Sequence, residues 1–147
     1  MKITFDDQGD ASYIYFTRIG VGGVARTVVD QEVTVALDNS DQIVSLRLME
    51  SEDCAFEKRL KYLSLHPEVT YLVAEGELQI NFANDVTSTR TIRWDGNLDL
   101  DREGQVLGLE MLFTPPGYAS NDGHEHLCAQ GKLAHMSKYF VPFDKSF

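Results

Sequence analysis

Val35-Ala36-Leu37-Asp38-Asn39-Ser40-Asp41-Gln42-Ile43-Val44-Ser45-Leu46-Arg47-Leu48-Met49 returns later in the chain as Leu98-Asp99-Leu100-Asp101-Arg102-Glu103-Gly104-Gln105-Val106-Leu107-Gly108-Leu109-Glu110-Met111-Leu112. Leu37, Asp38, Gln42 and Leu46 recur identically as Leu100, Asp101, Gln105 and Leu109. Upstream, Arg26-Thr27-Val28 matches Arg90-Thr91-Ile92 with one residue fewer in the following gap, and Tyr13-Ile14-Tyr15-Phe16 is loosely echoed by Gln79-Ile80-Asn81-Phe82. Elements in the same order in both halves are the mark of a repeated supersecondary unit.

Apolar and polar residues alternate through both copies, β-branched and aromatic types dominate, and Asp, Asn, Gly and Ser gather between the runs, so each copy reads as strands. The first copy is expected to carry strands at about 2–5, 12–18, 24–29, 32–38 and 42–49, the second at about 69–74, 77–83, 88–93, 97–101 and 105–113. Asp38-Asn39-Ser40-Asp41, Asp95-Gly96-Asn97 and Asp101-Arg102-Glu103-Gly104 supply turn residues. The expected fold class is mainly β (α+β), two tandem antiparallel β-meanders packed on a shared core, because one meander's apolar face needs a cover.

Residues 1–50 then form the first repeat, 51–67 a linking helix, 68–113 the second repeat and 114–147 a C-terminal extension packed on the body. In 51–67 the period changes: Phe56, Leu60 and Leu63 fall on one helical face, Ser51 suits an N-cap, Glu52 and Asp53 suit the first turn, and Pro67 stops the helix. Thr114-Pro115-Pro116-Gly117 marks the break before the extension. Asp122-Gly123-His124-Glu125 resembles a capping box for a short helix, while 132–143 fits helix and strand equally.

The chain has 147 residues, 43% of them hydrophobic and 24% charged, a composition that can bury a core. Thirteen Lys and Arg against 23 Asp and Glu give a net charge of -10. That charge repels phosphate backbones and anionic lipid, which excludes direct nucleic-acid and membrane-surface binding, and it speeds encounter with a basic protein. A solvated acidic surface explains the same charge through solubility alone. No apolar run is long enough to span a bilayer and no signal segment opens the chain, so a cytoplasmic location is expected, with Cys54 and Cys128 as free thiols.

Met1-Lys2-Ile3-Thr4-Phe5-Asp6, Gly9-Asp10-Ala11-Ser12-Tyr13-Ile14-Tyr15-Phe16, Arg26-Thr27, Val33 to Asp38 and Gln42 to Leu48 together resemble a prokaryotic family known only as a domain of unknown function. Its members are short β-meander proteins with a Met-Lys-Ile-x-Tyr-Asp opening and a closing hairpin of the Asp-x-x-Gly-x-Val-x-Gly-Ile-Glu type. The second copy matches that hairpin better, at Asp101 to Glu110, than the first, where Asp41 and Ser45 replace the glycines. The resemblance implies architecture and two diverged copies. It carries no nucleophile, base or metal cluster.

His124, His126 and Cys128, with His135 beyond, would offer soft ligands to zinc whether the segment is strand or helix. Histidines beside Asp122 and Glu125 are equally accounted for as solvated loop residues. No nucleophile, base and orienting carboxylate come together in sequence, and Gly20-Val21-Gly22-Gly23 lacks the helix of a phosphate loop, so no catalytic residue is assigned. Arg26 and Arg90 stand at equivalent places and, with Trp94, are the candidate partner-binding residues. Exposed strand arginines paired across a ladder fit the same pattern. The first expectation is a non-enzymatic, acidic protein-binding or inhibitory module of prokaryotic or phage type. Its unpaired sheet edges would also permit a homodimer. The alternatives are a metal-binding protein built on the His/Cys cluster and a structural subunit of an oligomer.

Overall fold

The computed structural model describes residues 1–6, 11–39, 43–82, 87, 88 and 90–112. The alternating runs form eight strands: β1 (Lys2–Asp6), β2 (Ala11–Tyr15), β3 (Arg26–Leu37), β4 (Ile43–Met49), β5 (Val69–Leu72), β6 (Glu77–Asn81), β7 (Arg90–Leu100) and β8 (Val106–Leu112). They make one sheet in the order β1-β2-β8-β7-β3-β4-β6-β5, with every neighbouring pair antiparallel.

Exchanging β1 to β4 for β5 to β8 reverses this order and otherwise leaves it unchanged. The registers follow the same exchange. Arg26 faces Leu100 and Leu37 faces Arg90 at the two ends of the β3–β7 ladder, and Ile14 faces Leu109 as Ile80 faces Leu46. The exchange centres on Glu32 opposite Asp95. Neither half is the expected meander of successive neighbours. β2 leaves its own half to pair with β8, and β6 does the same with β4, so each half contributes two hairpins separated by strands of the other.

The long central strands also differ from expectation. Asp95-Gly96-Asn97 is no turn but the interior of β7. Gly96 faces Gln31 on one side and Met111 on the other, and a methyl group there would come within 2.8 Å of Leu109 Cδ1 and 2.9 Å of Glu110 O. The glycine marks close strand approach. In β3 the expected gap at 30–31 is a bulge, with Asp30 at φ 58° and Val29 and Asp30 both exposed between buried Val28 and Gln31. The bulge restores the inward phase, so Val33, Val35 and Leu37 all face the core.

Residues 51–67 do not form the expected α-helix. Ser51 and Cys54 exchange backbone hydrogen bonds of 3.2 and 3.1 Å, and short 3-10 turns follow at Phe56–Lys58 and Leu63–Leu65. Cys54, Phe56 and Leu63 are all fully buried in the same cluster as Ile14, Phe16, Leu46, Trp94, Leu98 and Leu109. An α-helix would aim one narrow stripe at the core. The irregular path instead lays three separated side chains over the inner face of the curled sheet. His66 closes this cover with Nε2 2.7 Å from Phe16 O and Nδ1 3.5 Å from the Met1 amine.

Candidate functional site

The bulge in β3 and the end of β4 bound a groove of about 350 Å³ lined by Val28–Glu32 and Met49–Asp53, except Glu52. Its shape starts with Gln31, which faces inward at 4% exposure, at the place that Trp94 holds in the exchanged half. Gln31 Nε2 donates to Glu32 O at 3.1 Å and to Met49 O at 3.0 Å. Both partners are carbonyls, which fixes the amide orientation. Its Oε1 is then a buried acceptor with no donor.

Four carboxylates surround this amide. Glu50 Oε1 accepts from Phe56 N at 3.0 Å and from Tyr71 Oη, whose hydroxyl is pushed up to about 12 chiefly by that bond. Glu32 pairs with Arg93, and Asp53 with Arg26 at 3.3 Å. Asp30 has no cationic partner among the described residues. Just outside the groove, burial first, and then the Asp30 and Glu32 charges, raise the Asp95 carboxyl above its usual range, with Arg93 opposing. Exposed Val29 and Met49 put apolar surface beside these charges.

The outer face of β2 carries a second polar network. Tyr13 Oη donates to Asp99 Oδ2 at 2.7 Å and Thr27 Oγ1 to Asp99 Oδ1 at 2.6 Å. Burial, then the Asp99 bond, raises the Tyr13 hydroxyl far above its ordinary value, so it remains a proton donor. The rings of Tyr13 and Tyr15 meet outside the core with centroids 4.4 Å apart and planes tilted by 52°, while Ile14 and Phe16 point in. Cys54 is buried and its thiol is pushed up to about 11 by that burial, against the opposing fields of Arg59 and Arg26, which leaves it a poor nucleophile.

Of the residues singled out from sequence, Arg26 lies beside Asp53, and Arg90 lies at the far end of the β3–β7 ladder, so the two do not converge. Trp94 is 1% exposed, a core residue and no part of a contact surface. His124, His126, Cys128 and His135 lie outside the described residues. Among the described residues no three His, Cys, Asp or Glu side chains are grouped to hold a metal, and no helix is long and apolar enough to cross a membrane. Asp30 and Gln31 were not evident as site residues. Their one trace in sequence is the extra residue that follows Arg26-Thr27-Val28, compared with Arg90-Thr91-Ile92, and that becomes the bulge.

Comparison of the chain with known protein families, with curated proteins and with solved structures gives no match.

Proposed function

We propose that the protein is a non-enzymatic acidic module that takes a basic segment of another protein into the groove between Val28–Glu32 and Met49–Asp53. The groove's composition carries this reading: an uncompensated Asp30, a buried Gln31 acceptor without a donor, and exposed Val29 and Met49 at its side. Lys and Arg side chains meet both needs, with donors at the tip and an apolar stem behind it. Glu32 and Asp53 are held by exposed arginines, and such pairs contribute only about 0–1 kcal/mol, so an incoming cation competes with them at little cost. The net charge of -10 speeds the encounter at long range.

By the same reading the two halves are diverged copies of one unit, kin to the short β proteins that their motifs resemble. The support is agreement, position by position, between the sequence repeat and the strand registers. Ala36/Leu37 and Asp99/Leu100 are matched in sequence, and a bulge falls at each of them.

Native mass spectrometry of untagged protein, purified from its own cells at low salt, tests the binding reading. The expected result is a co-purifying partner that leaves as salt screens the charges and is absent from the Asp30→Lys/Glu32→Lys variant. A protein that emerges without a partner, or a partner that survives both high salt and the charge reversal, sinks it.

A further inference from the structure

The Arg26–Asp53 bridge joins the acidic groove, lined by Asp53, to a second groove of about 330 Å³ that collects three cations, Arg26, Arg59 and Arg102. They come from the start of β3, the 51–67 crossing and the β7–β8 hairpin. Three guanidinium groups in one concavity repel each other unless anions offset them. Asp101 and Glu103 of the lining offset the three guanidinium charges only in part, and both are committed to other donors. Asp101 Oδ1 accepts from Glu103 N and Gln105 N at 2.9 Å each, which shapes the turn, and Glu103 pairs with Lys61 at 3.3 Å.

Arg59 is held by carbonyls rather than carboxylates. Its Nη1 donates to Gly104 O at 2.6 Å and its Nη2 to Asp53 O at 3.3 Å, while Nε is buried without an acceptor. Gly104 makes this possible, since it sits at φ +79° and a methyl group there would lie 2.7 Å from Arg59 Nη1. The result is a preset cation whose charge no carboxylate among the described residues neutralises by contact. Arg102 makes no hydrogen bond or ion pair among the described residues. Among the described residues Arg26 is bound to Asp53 alone, a carboxylate that is 75% exposed and readily exchanged.

The geometry points to a binding site for a small phosphate-class oxyanion between Arg26, Arg59 and Arg102. Guanidinium forks match the oxygen spacing of such ions and give charge-assisted hydrogen bonds. The concavity has the size of a small-molecule site. The acidic body excludes a polyanion, but salt screens its charges beyond about 8 Å, so a single small anion answers mainly to the nearby arginines.

Amide chemical shifts of the full-length protein, titrated with inorganic phosphate and with glycerol phosphate against chloride at constant ionic strength, test the site. The expected result is saturable shifts at Arg26, Arg102 and Gly104, with affinity lowered about tenfold or more by Arg102→Gln or Arg26→Gln. Equal affinities for the two probes identify phosphate itself as the recognised unit, and tighter glycerol phosphate identifies an organic ester. Shifts that chloride reproduces, no saturation with either phosphate, or affinities unchanged in both folded variants overturn the site.

Discussion

Asp95 faces Glu32 at the centre of the β3–β7 ladder, a like-charge pairing that opposes folding whenever both are ionised. Its carboxyl titrates above the ordinary value of 3.8 in the folded chain, first because of burial. Between the unfolded and the folded value the native state therefore holds more protons than the unfolded chain, and stability falls as pH rises through that window. Asp95→Asn removes the ionised form, so it is expected to raise the neutral-pH melting temperature by about 1–2 °C. The gain should vanish once pH falls below the unfolded value. Melts of both proteins across the acid range check this, and a gain independent of pH assigns the effect to something other than ionisation. Gln31 carries a comparable constraint, since an inward polar residue leaves an acceptor unmet where the exchanged half has an indole.

β3 and β7 are longer than the runs read from sequence, because each continues through residues whose local preference breaks a strand. Asp95-Gly96-Asn97 has turn composition, yet neighbours on both sides supply ladder partners, and paired strands override local preference. Gly96→Ala is expected to cost about 1–3 kcal/mol by forcing a methyl group against Leu109 and the Glu110 carbonyl. Urea unfolding checks it, and a loss of only a few tenths would show that β7 and β8 can move apart cheaply. The 51–67 segment failed in the opposite direction. Its helical spacing of Phe56, Leu60 and Leu63 is real, but Leu60 stays partly exposed while Cys54, Phe56 and Leu63 are drawn under the sheet. Hydrophobic burial of three anchors outweighs the modest intrinsic preference of one short helix.

Because β2 pairs with β8, β3 with β7 and β4 with β6, cutting the chain between its halves would take a ladder partner from three of the four strands of each half. Chains 1–66 and 67–147 are therefore expected to lack cooperative unfolding transitions alone, and to regain one transition when mixed. Circular dichroism in urea tests this, and a sharp transition in either isolated piece would mean that a half carries its own core. The acidic and arginine grooves belong to this level too. The arginine groove gathers residues from both sides of the crossing segment, the acidic groove joins the β3–β4 hairpin to the start of that segment, and the bridge from Arg26 to Asp53 links the two.

Strand positions, the core leucines at 37, 46, 100 and 109, and the capped turn at Asp101 were legible in the amino-acid order, because period-two alternation and turn chemistry are local properties. So was the net charge that orients the functional reading. The hairpin partners were legible as well, but the strands that join one half to the other were not: an antiparallel edge accepts any strand of suitable pattern, and the choice depends on closing one core with both halves at once. The candidate grooves were hidden too, since Arg59 and Gly104 meet only after the chain has crossed the sheet, and Gln31 reaches the Met49 carbonyl from the bulge within the β3–β4 hairpin. Local pattern decided what the elements are, and long-range burial decided which of them meet.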